Sequence, residues 1–207
     1  MQRRIAVLLS GRGSNFEAIA DATSRGVIPN AEIVAVLSDV PGAAGLELAR
    51  RRGLPARAIP RLAYPSRSAH EAAILHRLES ARSELVCLAG YMRILSPRFV
   101  GKYRGRILNI HPSLLPKFAG LDPQRRALEA GELRSGCTVH LVDEGTDTGP
   151  VVLQREVPVE PGDTVETLSL RILEAEHRAY PEAIARVLET LPPMPESAQK
   201  TVHGGGI

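Results

Sequence analysis

Apolar positions fall in short dense blocks along the first half of the chain: IAVLL (5–9), EIVAVLS (32–38) and LVCLAG (85–90). Blocks of this length, separated by polar stretches whose apolar residues recur every three or four positions, predict buried strands alternating with amphipathic helices. Helices are expected from about Asn15, from Ala43 and from Ser66, with a short strand in PARAIP (55–60). Strands spaced by helices form right-handed βαβ units, and their near-continuous hydrophobicity means that the sheet is covered on both faces. The expected fold is α/β, a three-layer, mostly parallel twisted sheet with helices on both faces and a Rossmann-like N-terminal half.

The pattern changes after RILNI (106–110). PQRRALEAGE (123–132) predicts a short helix, and CTVHLV and VVLQREVPV predict two strands joined by the glycine-bearing loop DEGTDTGP (143–150). They are expected as a late hairpin or as adjacent strands. A long amphipathic stretch from about Thr164 to Leu191 closes the fold, with Asp163 or Thr164 as its cap. Residues 192–207, PPMPESAQKTVHGGGI, lack periodicity and apolar mass and are expected to form a flexible tail, mostly disordered or loosely docked. One domain, 1–191, is expected, without internal repeats.

Composition narrows the function class. Hydrophobic residues are 43% and charged residues 24% of the 207, the balance of an ordinary folded protein. The net charge of +3 is spread along the chain, and its one tight run, RRR at 50–52, ends a predicted helix, where cations complement the dipole. With no Trp and 3% aromatics, stacking platforms for bases are scarce, which favours small phosphorylated ligands over polynucleotides. No apolar run reaches the length of a membrane span, and the N-terminal apolar stretch is too short for a signal peptide, so a cytoplasmic protein is expected. Cys87 and Cys137 lie in apolar contexts without ligand spacing, which predicts buried reduced thiols and no metal.

Four segments carry candidate chemistry. In LNIHPSLLPKFAG (108–120), Asn109 and His111 are two residues apart at a predicted strand end and should project to the same side. SGRGSN (10–15) lies between the first strand and first helix, where backbone N–H groups and the helix dipole favour a phosphate. Gly11 and Gly13 would let the backbone approach it, while Phe16 in place of a third glycine disfavours a dinucleotide. GYMRILSP (90–97) follows a strand; by itself an apolar, Met-bearing loop reads as core packing, and beside the Asn109–His111 edge it is also placed to wall a flat ligand. Asp147, in DEGTDTGP, would orient or ionise His111 if the fold brings them together. His140 reads as a satisfied core histidine or one that supports a catalytic residue, His177 as structural, and His70, His76 and His203 as surface residues.

Taken together, LNIHPSLLPKFAG, SGRGSN, GYMRILSP, CTVHLVDEGTDTGPVVLQ, VPVEPGDT and EAEHRAYP resemble the glycinamide ribonucleotide formyltransferase family, in the family's order, from about Ile5 to Leu191. The resemblance implies transfer of a formyl group from 10-formyltetrahydrofolate, as co-substrate, to the amine of glycinamide ribonucleotide in purine biosynthesis. It implies a catalytic trio of Asn109, His111 and Asp147. Gly13, Ser14 and Asn15 would hold the substrate's phosphate or ribose, and Leu173, Glu174, Ala175 and Glu176 would flank it, with Glu176 near the amine. The folate would meet Arg67, Met92, Arg93, Ile94 and Leu95, the Asn109 edge, and Asp143, Glu144, Gly145, Thr146 and Asp147. Small molecules are the implied partners, without nucleic acid or membrane, and a homodimer is left open.

One segment departs from the family pattern: Asp122, Pro123 and Gln124 stand where many relatives carry a histidine-containing sequence. Pro123 would set the start of a helix there. Methionyl-tRNA formyltransferase and formyltetrahydrofolate deformylase share elements of the pattern. The length leaves no room for the former's tRNA-binding domain, and a first strand near residue 4 leaves none for the latter's N-terminal domain. A non-catalytic folate- or nucleotide-binding module is the alternative from another class, and the retained trio argues against it.

Overall fold

The structure, a computed structural model, describes residues 2–194. Seven strands, β1 (Arg3–Leu9), β2 (Ala31–Ser38), β3 (Ala56–Ala58), β4 (Leu85–Leu88), β5 (Ile107–His111), β6 (Arg134–Leu141) and β7 (Val151–Pro158), form one sheet in the order β3-β2-β1-β4-β5-β6-β7. The first five are parallel, and β6 and β7 add antiparallel to β5 as a hairpin. Six helices accompany them: α1 (Ser14–Ser24), α2 (Ala44–Arg51), α3 (Arg67–Ser80), α4 (Pro97–Lys102), α5 (Pro123–Glu129) and α6 (Val165–Thr190). The expected α/β architecture is the one found.

Strand alternation builds a core on each face. In β1, Ile5, Val7 and Leu9 pack with Phe16, Ile19 and Leu46 of α1 and α2 and with Ile172, Tyr180 and Ile184 of α6. Ala6 and Leu8 face the other way, toward Ile74 and Leu78 of α3 and Phe99 of α4. Tyr180 is fully buried, and its hydroxyl lies 3.0 Å from the carbonyls of both Leu88 and Leu108, so α6 is tied to the two strands that lead into the Asn109 edge.

The longest helix starts at Thr164, one of the two expected caps. Its side chain accepts from Thr167 N–H while Thr167 Oγ1 accepts from Thr164 N–H at 2.9 Å, a reciprocal cap. Helix α4 has no counterpart in the sequence reading, because six residues are too few to show a 3.6-residue period. It begins at Ser96, whose hydroxyl accepts from Phe99 N–H at 3.2 Å, followed by Pro97 in the first turn.

One expectation is corrected. His70 is buried on α3, with Nε2 2.7 Å from the Ile59 carbonyl, because α3 packs that face on the chain leaving β3. The basic run ends α2 as expected, with Arg50 and Arg51 in its last turn, and Arg52 in addition ties it to α1, reaching Asp21 at 2.5 Å and Glu17 at 3.2 Å. The segment after Leu191 starts docked: Arg106 Nη2 donates to Pro192 O at 2.6 Å and Pro193 O at 3.0 Å, and Met194 packs on the α3–α4 core. The rest of that tail, 195–207, and His203 within it, lie outside the described residues.

Gly13 has a left-handed backbone, φ 82°, and a Cβ there would stand 2.5 Å from Gly45 Cα at the start of α2. Its freedom therefore serves a helix crossing, whereas Gly11 has open space around it. Gly13→Ala should cost about 2 kcal/mol of stability, from left-handed strain plus overpacking against backbone. A urea midpoint unchanged from the wild-type protein would contradict this close approach.

Candidate active site

The site forms where the sheet changes from parallel to antiparallel. Register pairs Asn109 of β5 with His140 of β6, and His111 with Thr138, so the Asn-x-His spacing meets a Thr-x-His spacing across the ladder. His140 Nδ1 lies 3.0 Å from the Leu141 carbonyl and donates to it. Its Nε2, 3.2 Å from Asn109 Nδ2, then accepts from that amide while the ring is neutral and can turn donor toward Asp147, 3.5 Å away, when the ring is charged.

Asp147 is where these groups converge. Its Oδ1 lies 3.4 Å from Asn109 Nδ2, and its Oδ2 lies 3.4 Å from His111 Nδ1 and 3.0 Å from Gly120 N–H. Contacts of 3.4–3.5 Å are at the long limit of hydrogen bonding, so the carboxylate's charge carries them more than geometry does. The surroundings hold the Asp147 carboxyl below the usual range: His140 contributes most, and the Gly120 N–H and His111 add to it against the opposing effect of burial. The residue has φ 56°, a left-handed conformation that Asp tolerates better than most side chains.

His111 is buried, and its Nε2 lies 3.0 Å from the Phe118 carbonyl, so both ring nitrogens face acceptors. The loop supplying that carbonyl is anchored by Thr138, whose hydroxyl donates to Ser113 O at 2.6 Å and accepts from Leu115 N–H at 3.0 Å. Beyond it, Pro123 occupies the first turn of α5 as expected, while Asp122 is left-handed, φ 51°, and makes no side-chain cap. In the neighbouring loop, Asp143 Oδ1 accepts from Gly145 N–H at 3.0 Å and Thr148 Oγ1 at 2.7 Å, which folds residues 143–148 back toward the sheet. Glu144 is exposed and pairs with Arg104 at 3.4 Å.

On the other side of β1, Ser14 opens α1 and Asn15 is buried, donating from Nδ2 to Glu176 Oε2 at 2.7 Å; its Oδ1 is buried without a partner among the described residues. Burial pushes the Glu176 carboxyl up to about 7, with the Asn15 bond opposing. Of its neighbours, Ala175 is packed in the core, Leu173 is half-buried and Glu174 is exposed; Glu176 is the one of the four bonded to the 13–15 segment. On the remaining flank, Arg67 reaches the Ile94 carbonyl at 2.7 Å, which brings it to the 92–95 segment. Met92, Arg93 and Ile94 are exposed there, and Leu95 turns into the core.

His140 takes the supporting place beside Asn109 and Asp147 that its sequence context left open against a plain core role. It alternates with apolar neighbours like a core histidine, and only the β5–β6 register shows that it faces Asn109. Among the described residues no group of three or more His, Cys, Asp or Glu is placed to hold a metal ion. Cys87 and Cys137 are free and buried, and burial pushes both thiols up, Cys137 to about 12, so neither serves as a nucleophile.

The family description that matches, formyl transferase, spans residues 3–184. The chain belongs to the formyl transferase family. This family member is 45% identical over 181 residues to phosphoribosylglycinamide formyltransferase of Escherichia coli strain K12, covering 87% of this chain and 85% of that protein. It is 53% identical over 187 residues to the trifunctional purine biosynthetic protein adenosine-3 of Drosophila pseudoobscura pseudoobscura; the match takes in 89% of this chain but only 14% of that longer protein. Among solved structures, glycinamide ribonucleotide transformylase 1 from Symbiobacterium toebii matches with a TM-score of 0.89 and 52% identity, over 91% of this chain and 88% of that one. No helix among the described residues of the formyl transferase is long and apolar enough to cross a membrane.

The raised Glu176 value carries a pH signature. The folded state holds this proton more tightly than the unfolded chain, so the contribution is full below pH 4.5 and is lost as pH rises toward about 7. Subtracting the unfolding profile of Glu176→Gln from that of the wild type should leave a fall of about 3 kcal/mol across that window. Parallel profiles would contradict it.

Proposed function

We propose that this formyl transferase moves the formyl group of 10-formyltetrahydrofolate to the primary amine of glycinamide ribonucleotide, giving formylglycinamide ribonucleotide and tetrahydrofolate in de novo purine biosynthesis. The observation that supports it best is the convergence of Asn109, His111 and His140 on the Asp147 carboxylate at the carboxyl ends of the central strands, where open α/β sheets bind ligands. The names borne by its relatives point the same way.

The chemistry asks for donors more than for a nucleophile. The substrate amine attacks the formyl carbon, negative charge develops on the formyl oxygen, and the folate nitrogen must gain a proton as its bond to carbon breaks. In this reading Asn109 Nδ2 and His111 Nε2 exchange their present acceptors, including the Phe118 carbonyl, for the formyl oxygen. Asp147 faces His111 Nδ1 at 3.4 Å and orients the ring, and in this reading it takes up or relays the proton that the amine loses.

The two ligands approach from opposite sides of this point. Glycinamide ribonucleotide sets its phosphate at Gly13, Ser14 and Asn15, at the N-terminus of α1, with Glu176 toward the amine and Leu173, Glu174 and Ala175 alongside. The folate lies along Met92, Arg93, Ile94 and Leu95 and Asp143, Glu144, Gly145 and Thr146, with Arg67 at its acidic end. Both ligands are small and water-soluble, which suits a cytoplasmic enzyme that needs no nucleic acid or membrane.

Steady-state assay of the purified chain with both substrates tests this. The wild type should formylate glycinamide ribonucleotide. Asn109→Ala and His111→Ala should each lose about 10²–10³-fold in kcat, with much smaller changes in KM, because the contacts strengthen in the transition state. An inactive wild-type protein, or full activity in His111→Ala, would overturn the proposal.

A further inference from the structure

The segment 90–96 joins two properties that usually exclude each other. Met92 and Ile94 hold apolar side chains in solvent, 76% and 69% exposed, yet the backbone beneath them is tied at almost every step. Ser10 N–H donates to Gly90 O at 3.0 Å, and Met92 N–H donates to Ser10 Oγ at 2.9 Å. Arg67 Nη2 donates to Ile94 O at 2.7 Å, and Ser96 N–H donates to Glu71 Oε1 at 3.0 Å. A loop free to move would fold those two side chains away from water.

Two carboxylates organise these ties, one on each flank. Asp39, at the end of β2, has a side chain 4% exposed; it accepts from Ser10 Oγ and from Arg93 Nε, each at 2.6 Å. Glu71, on α3, is 9% exposed at its side chain; it accepts from Ser96 N–H, from the Ser96 hydroxyl and from Arg67 Nε at 3.0 Å. Burying a carboxylate is costly unless its oxygens are paired. Here both buried anions direct that pairing at one segment and at the two arginines beside it.

We propose that Asp39 and Glu71 are positioning residues for the folate, holding the 90–96 backbone and the guanidinium groups of Arg93 and Arg67 in the shape that receives it. The inference rests on the function proposed above and deepens it: the wall for the pterin is built before the ligand arrives. Arg67 spends Nε on Glu71 and Nη2 on the loop, and no hydrogen bond engages its Nη1 among the described residues, which leaves that edge for an acidic ligand group.

The test separates binding of the two substrates. If loosening the clamp leaves the segment competent about one tenth of the time, apparent affinity for the folate falls about tenfold. Asp39→Ala and Glu71→Ala should therefore raise KM for 10-formyltetrahydrofolate about tenfold, with kcat and KM for glycinamide ribonucleotide within about twofold. Glu71→Gln keeps an oxygen for Ser96 N–H and should recover part of the loss. Ser96→Ala, which leaves the sheet and α3 intact, should shift the same constant in the same direction by less.

Amide hydrogen exchange should quicken in 91–96 in each variant with little change elsewhere. Equal rises in both KM values, a kcat loss at constant folate KM, or unchanged exchange in 91–96 would overturn the inference. Should the wild type fail to formylate, the function falls; direct titration with a non-transferable 10-formyl folate analogue then decides the clamp. Weaker binding in the alanine variants supports it, and equal binding, or none by the wild type, overturns it.

Discussion

A single carboxylate joins four separate stretches of chain. Asp147, on the loop between β6 and β7, is bonded to Gly120 on the loop after β5 and faces Asn109 and His111 on β5 and His140 on β6. A half-buried anion needs donors around it, and the donors here come from β5, β6 and the loop after β5, so the charge fixes the mutual position of groups that no local geometry would hold together. The left-handed backbone at Asp147 is the local strain that aims it there.

The rest of the fold serves that meeting point. The parallel strands β1, β4 and β5 bring their carboxyl ends to one edge, and the antiparallel β6 lets His140 and Thr138 stand opposite Asn109 and His111, a pairing that a parallel crossover would not give. Tyr180 ties α6 to β4 and β5, so the helix that carries Glu176 is fixed relative to the strand that carries Asn109. The Asn15–Glu176 bond then closes the opposite side, between the first and last helices. The Asn15–Glu176 side of the site is thus rooted in α1 and α6, and the Asp147 side in β5 and β6.

Much of this was legible in the sequence because it is local. The alternation of apolar blocks and helical periods gave the α/β order, Asp163 or Thr164 marked the start of α6 and Ser66 that of α3, and Asn109-x-His111 declared a shared face by strand geometry alone. What escaped is non-local. His140 acquires its meaning from the β5–β6 register, Gly13 from the approach of Gly45, and His70 from the chain leaving β3, none of which is written near those residues. Helix α4 escaped for the opposite reason: it is too short for any period to show.

The structure of a ternary complex with glycinamide ribonucleotide and a non-transferable 10-formyl folate analogue tests the account most directly. The account predicts the pterin between residues 92–95 and 143–147, the formyl oxygen within hydrogen-bond reach of Asn109 Nδ2 and His111 Nε2, the Phe118 carbonyl released, and His111 Nδ1 still facing Asp147. A pterin bound elsewhere, or His111 still bonded to Phe118 with the formyl oxygen held by other groups, would contradict it.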